Sequence, residues 1–273
     1  MSVTSDPRRF RRRHQGGAGD RRLGGVARLY GEDGAARLAR AHVVVAGAGG
    51  VGSWAMEALA RSGIGRLTLI DGDVSALSNT NRQLHAMDGN YGRGKVALMR
   101  ERIGLINPDC RVELIESFIT PENAEEILPA DADFVMDCID DLRGKTALVA
   151  AARRKGLKVV TSGGAGGKRH PERLVVEDLA RVKGDPLLAK LRTNLRKFHG
   201  FPAGNASGRS VKFGIPVVAS DEPVRQPSAA NNQAAGQPEG ARIGFGSGVV
   251  VTGTAGLMLA SLVINAIAGE RED

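Results

Sequence analysis

Residues 43 to 73, VVVAGAGGVGSWAMEALARSGIGRLTLIDGD, constrain the fold of this chain more than any other stretch. An apolar run (42 to 46) reads as a buried strand, a glycine cluster ends it, helical spacing follows from about 52 to 62, and RLTLID (66 to 71) is a second strand closing on a carboxylate. In Gly47-x-Gly49-Gly50-x-Gly52 the missing side chains let backbone approach phosphate, while the following helix aims its amino end at the negative charge. Asp71 stands where a carboxylate accepts hydrogen bonds from ribose hydroxyls. The constellation is a nucleotide site. The loop by itself serves NAD and ATP equally.

The pattern continues downstream. GKVALMRERIGLIN (94 to 107) has helical spacing, RVELIES (111 to 117) alternates like a strand, PENAEEIL gives a short helix, and ADFVMDCI (132 to 139) reads as a buried strand. LRGKTALVAAARRKG is then a helix and LKVVTS a strand; residues 34 to 40 form a short helix ahead of the first strand. This alternation predicts an α/β, Rossmann-like, doubly wound and mostly parallel sheet with helices on both faces and a C-terminal extension. A ligand belongs at the carboxyl ends of such strands.

At 273 residues and 42% hydrophobic content the chain can bury a full core. Its two cysteines, Cys110 and Cys138, form no CxxC zinc pair and no disulfide framework, which points to a reducing cytosol. The histidines His42, His170 and His199 have no metal-ligand spacing, and His85 reads as a structural hydrogen-bonder. The net charge of +8 comes largely from RRFRRRH (8 to 14), RRKGLK (153 to 158) and KLRTNLRK (190 to 197), and fits either RNA contact or a solvated basic surface. Ile243 to Ala268 carries no charge and is long enough to cross a bilayer, which takes about 20 residues. Its small residues favour a buried or dimer-interface helix, with inner-membrane association as the alternative to a cytoplasmic protein.

What separates ATP from NAD lies beyond Asp71. A triphosphate carries about four negative charges that cations and a metal must neutralise. SNTNRQLH (78 to 85), Lys95 after a Gly92-Arg93-Gly94 turn, and DCIDD (137 to 141) all fall at a strand's carboxyl edge or a helix's amino end. Arg82 and Lys95 can grip phosphates and Asp140 can hold magnesium. Taken singly, Arg82 could be a surface ion-pair partner, Lys95 a helix-end charge and Asp140 an N-cap.

As an ordered set, GxGGxG, the strand-end Asp71, SNxxRQ, GxxK and DCxDD resemble the ubiquitin-activating-enzyme-like adenylating superfamily, which turns carboxylates into acyl-adenylates. The set covers roughly residues 22 to 165. Within that superfamily RLGGVARLYG, TNRQLHAM, INPDCRV, TSGGAGGKRHP and DPLLAKLR are similar to the tRNA threonylcarbamoyladenosine dehydratases, over nearly all the chain after the basic arm. The resemblance implies that Gly47, Gly49, Gly50 and Gly52 hold ATP, that Asp71 binds its ribose with Asp73 assisting, and that Asn79, Arg82 and Lys95 contact nucleotide and phosphates. It also implies that Asp140 positions Mg2+ and that an amino-terminal arginine, Arg28 or Arg22, reaches the triphosphate of a second subunit. Arg82, Lys95 and Asp140 would carry catalysis of a ligase-type adenylation followed by ring closure. The implied cofactors are ATP and Mg2+, with room for a monovalent cation. The implied partners are tRNA bearing threonylcarbamoyladenosine, a second copy of the chain and sulfur-mobilising proteins.

The corresponding domain plan is a disordered basic arm (1 to 20), an ATP-binding ThiF-like adenylating domain (21 to 197), a flexible Gly/Pro-rich excursion with a short strand at GIPVVAS (198 to 242), and a C-terminal apolar helix packed on the same domain (243 to 273). The loop SGGAGG (162 to 167) is either a tight turn or an opening for a bulky tRNA nucleotide. Two alternatives remain: activation of a ubiquitin-like sulfur carrier and an NAD-dependent oxidoreductase. The first lacks its usual CxxC pairs and catalytic cysteine here, and GARIGFGSG lacks the cysteine that dehydratases can carry before the last helix. Cys138 reads as a packing residue.

Overall fold

The structure, a computed structural model, describes residues 21–203, 211–225 and 245–269. The basic arm and the low-complexity run from 226 to 242 lie outside the described residues. Strands β1 (His42–Ala46), β2 (Arg66–Ile70), β3 (Arg111–Ile115), β4 (Phe134–Asp137), β5 (Lys158–Ser162), β6 (Leu174–Asp178) and β7 (Pro216–Ser220) form one sheet in the order β3-β2-β1-β4-β5-β7-β6. All neighbours are parallel except β6, which runs antiparallel on the edge beside β7. The central strands are mostly apolar because both faces are covered; β1 is buried at every position.

Helices α1 (Gly24–Arg40), α2 (Gly52–Arg61), α3 (Lys95–Ile106), α4 (Ala124–Ile127), α5 (Leu142–Arg154), α6 (Pro186–Phe198) and α7 (Val249–Ala268) complete the layers. One core joins α2, α3 and α7 to the sheet through Met56, Leu59, Met99, Ile103, Leu259 and Val263. The other joins α5 and α6 through Leu148, Val149, Leu188, Leu191 and Leu195. The chain order reverses between β1 and β4, so the carboxyl ends of these strands open a crevice at the switch point.

Three features differ from the sequence expectation. The amino-terminal helix starts at Gly24 rather than near residue 34, and breaks at Gly31, where φ is 75°. The sequence pattern gives no element for β6 and only a basic stretch, KLRTNLRK, where α6 lies; α6 opens on Asp185, whose carboxylate accepts from the Leu188 N–H, with Pro186 in the first turn. Residues 211–225 fall in the segment assigned to a flexible excursion; the short strand expected there at GIPVVAS is β7, but it is built into the sheet between β5 and β6, and Phe213 and Ile215 are buried.

The apolar tail segment is α7, and it lies along α2 and α1 with half of its most apolar stretch buried. Gly256 makes the close approach possible: a Cβ there would come within 2.3 Å of the Val51 carbonyl oxygen. The ring of Trp54 packs over Gly253. The small residues of this helix therefore serve a helix-to-helix seam.

Candidate active site

A cleft of about 1160 Å³ opens at the carboxyl edge of the sheet. Its floor is set by register. Ala46 of β1 pairs with Ile70 of β2 and Asp137 of β4, Gly47 N–H donates to Ile70 O (2.8 Å), and Cys138 N–H donates to Ala46 O (2.9 Å). Gly47 has φ 91°, and any side chain there would press into the Cys138 carbonyl. Thus the glycine loop and DCIDD share one wall. Gly47, Gly49 and Gly50 line the cleft; Gly52 does not, because it packs against the Gly47 carbonyl at the start of α2.

Asp71 is tied to this loop as well as facing the cleft. Its Oδ2 accepts from Ala48 N–H (2.6 Å) and its Oδ1 from Asp73 N–H (2.8 Å), which leaves each oxygen a second acceptor direction for hydroxyls. Buried His85 braces the same loop: its Nε2 sits 3.0 Å from Ala48 O and its Nδ1 3.2 Å from Ser75 Oγ. A carbonyl only accepts, so Nε2 carries the proton and neutral Nδ1 accepts from the Ser75 hydroxyl. Burial, with the charge of Lys95, lowers the His85 pKa against the hydrogen bond to Ala48 and keeps the ring neutral.

Around the loop stand the charged groups. Lys95, the first residue of α3, is 5% exposed and its Nζ lies 2.5 Å from Asp73 Oδ2. Burial by itself would raise the Asp73 carboxyl, but the hydrogen bonds from Lys95 and Val74 N–H hold it below the usual range. Arg82 spends Nη1 on Ser78 O and Asn81 Oδ1, both at 3.0 Å, and its carbonyl accepts from Trp54 Nε1 (3.0 Å). Its remaining guanidinium donors have no partner among the described residues. Asn79 accepts from Ala76 N–H through Oδ1 (3.1 Å), which leaves its amide NH2 for the cleft.

The two aspartates closing DCIDD have separate jobs. Asp141 caps α5 by accepting from Gly144 N–H at 2.7 Å. Asp140 lines the cleft, is exposed, and has no hydrogen bond or ion pair among the described residues. The N-cap reading thus belongs to its neighbour. α2 and α3 have no side-chain cap, and of their first N–H groups Ser53 donates to Gly49 O and Lys95 to Asp73 O (both 3.1 Å), whereas α5 and α6 are capped by Asp141 and Asp185.

Arg28 lies exposed on α1 and is not among the cleft-lining residues; a role at the triphosphate requires a second chain. Cys138 lines the cleft, but burial and then Asp137 push its thiol up to about 12, so it stays protonated and is a poor nucleophile.

Two buried ion pairs escaped the sequence reading. Lys145 and Asp137, both fully buried, meet at 2.9 Å, and Lys145 also donates to Ile139 O (2.8 Å). Asp137 takes the Thr161 hydroxyl (2.6 Å) and Ile139 N–H (3.1 Å). Lys168 and Asp185 meet at 3.0 Å beneath the SGGAGG loop. The first pair had one sequence signal, a lysine within the apolar face of α5.

A family model matches residues 20–273 of this chain, and it is that of the ThiF family. The chain belongs to the ThiF family. Among curated proteins, this ThiF-family chain is 44% identical over 90% of its length to the tRNA threonylcarbamoyladenosine dehydratase of Haemophilus influenzae, of which 93% is covered. It is 44% identical to that of Escherichia coli, covering 88% of this chain and 91% of that one. Among solved structures, the Escherichia coli dehydratase in complex with ATP matches with a TM-score of 0.80 and 43% identity, over 90% of this chain and 93% of that chain. The same enzyme in complex with AMP matches with a TM-score of 0.79.

Proposed function

We propose that this ThiF-family enzyme dehydrates threonylcarbamoyladenosine next to the tRNA anticodon, using ATP. The observation that carries this reading is the 44% identity spanning nine-tenths of the chain with dehydratases, one of them solved with ATP. The cleft suits the chemistry. In the first step a carboxylate oxygen of the threonyl side chain bonds to the α-phosphorus of ATP and the bond to the β-phosphate breaks, releasing pyrophosphate. In the second, the carbamoyl group of the same side chain attacks the acyl carbon, loses a proton and expels AMP, for a net loss of water. The nucleophile is tethered, so effective concentration replaces a covalent enzyme intermediate. What the chain must supply is stabilisation of charge on the phosphates and the leaving groups.

In this reading Asp71 takes the ribose, the uncapped starts of α2 and α3 face the phosphates, and Arg82 and Lys95 neutralise them. Among the described residues no cluster of three His, Cys, Asp or Glu could hold a metal alone. That donor set suits Mg2+ arriving with the nucleotide, since Mg2+ binds through one or two carboxylates plus phosphate oxygens. Asp140 would hold it, and the ion would withdraw charge from the leaving pyrophosphate. Arg28 would complete the triphosphate site from a second subunit. Light scattering tests that step, and a monomeric active enzyme would rule it out.

The deciding experiment is pyrophosphate release with ATP, Mg2+ and tRNA. Release should rise with tRNA carrying threonylcarbamoyladenosine and stay at background with an unmodified transcript. Equal release with both, or none with either, would refute the assignment.

A further inference from the structure

The cleft is larger than a single small ligand requires. Pockets for a single small ligand run from about 300 to 1,000 Å³, and this one encloses about 1160 Å³. Each end displays an exposed aromatic ring. Phe118, 64% exposed, lies past Asp71 at the β2–β3 end, and Phe245, 48% exposed, lies past the SGGAGG loop at the β5–β7 end. Arg82, Lys95 and Asp140 line the same cleft.

Phe245 is held from two sides. Gly246 O accepts from Gly167 N–H (2.7 Å), and Ser247 O accepts from the Asn81 side-chain amide (2.6 Å). One anchor belongs to the SGGAGG loop and the other to the SNTNRQ segment that presents Arg82. A Cβ on Gly166 would come within 2.9 Å of the Phe245 Cβ, so the ring's stem rests directly on that glycine. The loop is itself fixed from below, because Asp185 Oδ2 accepts from Gly164 N–H (2.9 Å) and from Lys168, while its Oδ1 caps α6. On the other side, exposed Lys190 of α6 lines the same end of the cleft.

A fixed ring, a strip of glycine backbone and an exposed cation are what an unstacked nucleobase needs: a face to stack on, room for its edge, and a partner for its phosphate. We propose that Phe245, the Gly163–Gly166 loop and Lys190 form the acceptor site, in which the modified adenine of the RNA stacks on Phe245 and Lys190 meets a neighbouring phosphate. This rests on the function proposed above and adds which residues receive the substrate. ATP takes the Phe118 end, so the two purines lie at opposite ends and the carboxylate meets the α-phosphate between them.

The test is steady-state pyrophosphate release, with modified tRNA and ATP varied separately. Phe245→Ala should raise the KM for tRNA about 10-fold or more and leave the KM for ATP within about 2-fold. Phe245→Trp should restore the tRNA KM, which a merely structural role would not require. Lys190→Ala should raise the tRNA KM and flatten its salt dependence. An unchanged tRNA KM in Phe245→Ala, an equal rise in both KM values, or failure of tryptophan to rescue would overturn the acceptor site. With an active wild type, those outcomes remove this site alone; a wild type inert toward modified tRNA removes the dehydratase reading and this inference with it.

Discussion

The two halves of the cleft are built on the same device used to different depths. At the acceptor half, Lys168 and Asp185 are 1% and 0% exposed, and at the base of the DCIDD turn Lys145 and Asp137 are both 0% exposed. Lys95 and Asp73, on the phosphate side, form a third pair, but there the carboxylate is 49% exposed. Burying a lysine and a carboxylate is costly unless every hydrogen-bonding valence is met. The sealed pairs offset that cost by gripping backbone as well as each other: Lys145 and Asp137 hold the carbonyl and the N–H of Ile139, immediately before Asp140. A sealed pair therefore shapes a loop. The open pair stores a cation that an arriving phosphate can draw away from Asp73.

Removing one partner of a sealed pair should give the largest effect. Lys145→Met keeps the volume but strands the Asp137 carboxylate, and should cost about 3–5 kcal/mol, read as a lower urea midpoint. Adding Asp137→Asn should recover part of that loss. A midpoint unchanged by Lys145→Met would mean that the pair contributes nothing and that the contrast between sealed and open pairs is empty. Asp140→Asn should behave oppositely. Its side chain has no partner among the described residues, so the midpoint should hold while turnover falls about 100-fold or more. Substantial residual turnover would remove the magnesium assignment.

Much of this site was legible because it lies on strand ends. Gly47, Asp71 and Asp140 each follow an unmistakable apolar strand, and Arg82 and Lys95 sit in short motifs next to them. The Lys168–Asp185 pair was not legible, since Lys168 reaches Asp185 and the Ser220 carbonyl only once β7 is known to lie beside β5. β6 hid for a different reason. It is an edge strand with Val175 and Val176 exposed, so it lacks both the burial and the alternation that mark a strand. α6 hid behind its charge: KLRTNLRK reads as a basic surface, although Leu188, Leu191 and Leu195 recur at helical spacing beneath it. Asp140 and Asp141 are adjacent and chemically alike, and only the hydrogen bond to Gly144 tells the cap from the cleft residue.

The open pair predicts a smaller and more selective change. Lys95→Ala should raise the KM for ATP about 10-fold, as the loss of one charge-assisted contact, with a stability change within about 1 kcal/mol because Asp73 remains half in water. Measuring KM and the urea midpoint on the same preparation distinguishes it from Lys145→Met. A large loss of stability without a change in KM would place Lys95 among the sealed pairs.

The smallest effect is a pH dependence that runs through the glycine loop. His85 is neutral in the fold, with its pKa lowered mainly by burial from the ordinary 6.5. A base depressed on folding contributes stability that is fully present above its unfolded value and is lost as pH falls through its folded value. Stability should therefore hold from pH 8 to about 6.5 and decline below it. His42 follows the same rule, since burial and then Arg66 lower its pKa. Because His85 holds Ala48, whose N–H serves Asp71, ATP affinity should weaken only at lower pH than stability does, where the folded ring itself takes up a proton, while His42, which contacts Thr68 away from the cleft, leaves it unchanged. His85→Gln should thus flatten the pH dependence of ATP binding and leave part of the stability slope. An unaltered ATP profile in that variant would detach the histidine from the nucleotide and leave the loop held by Asp71 alone.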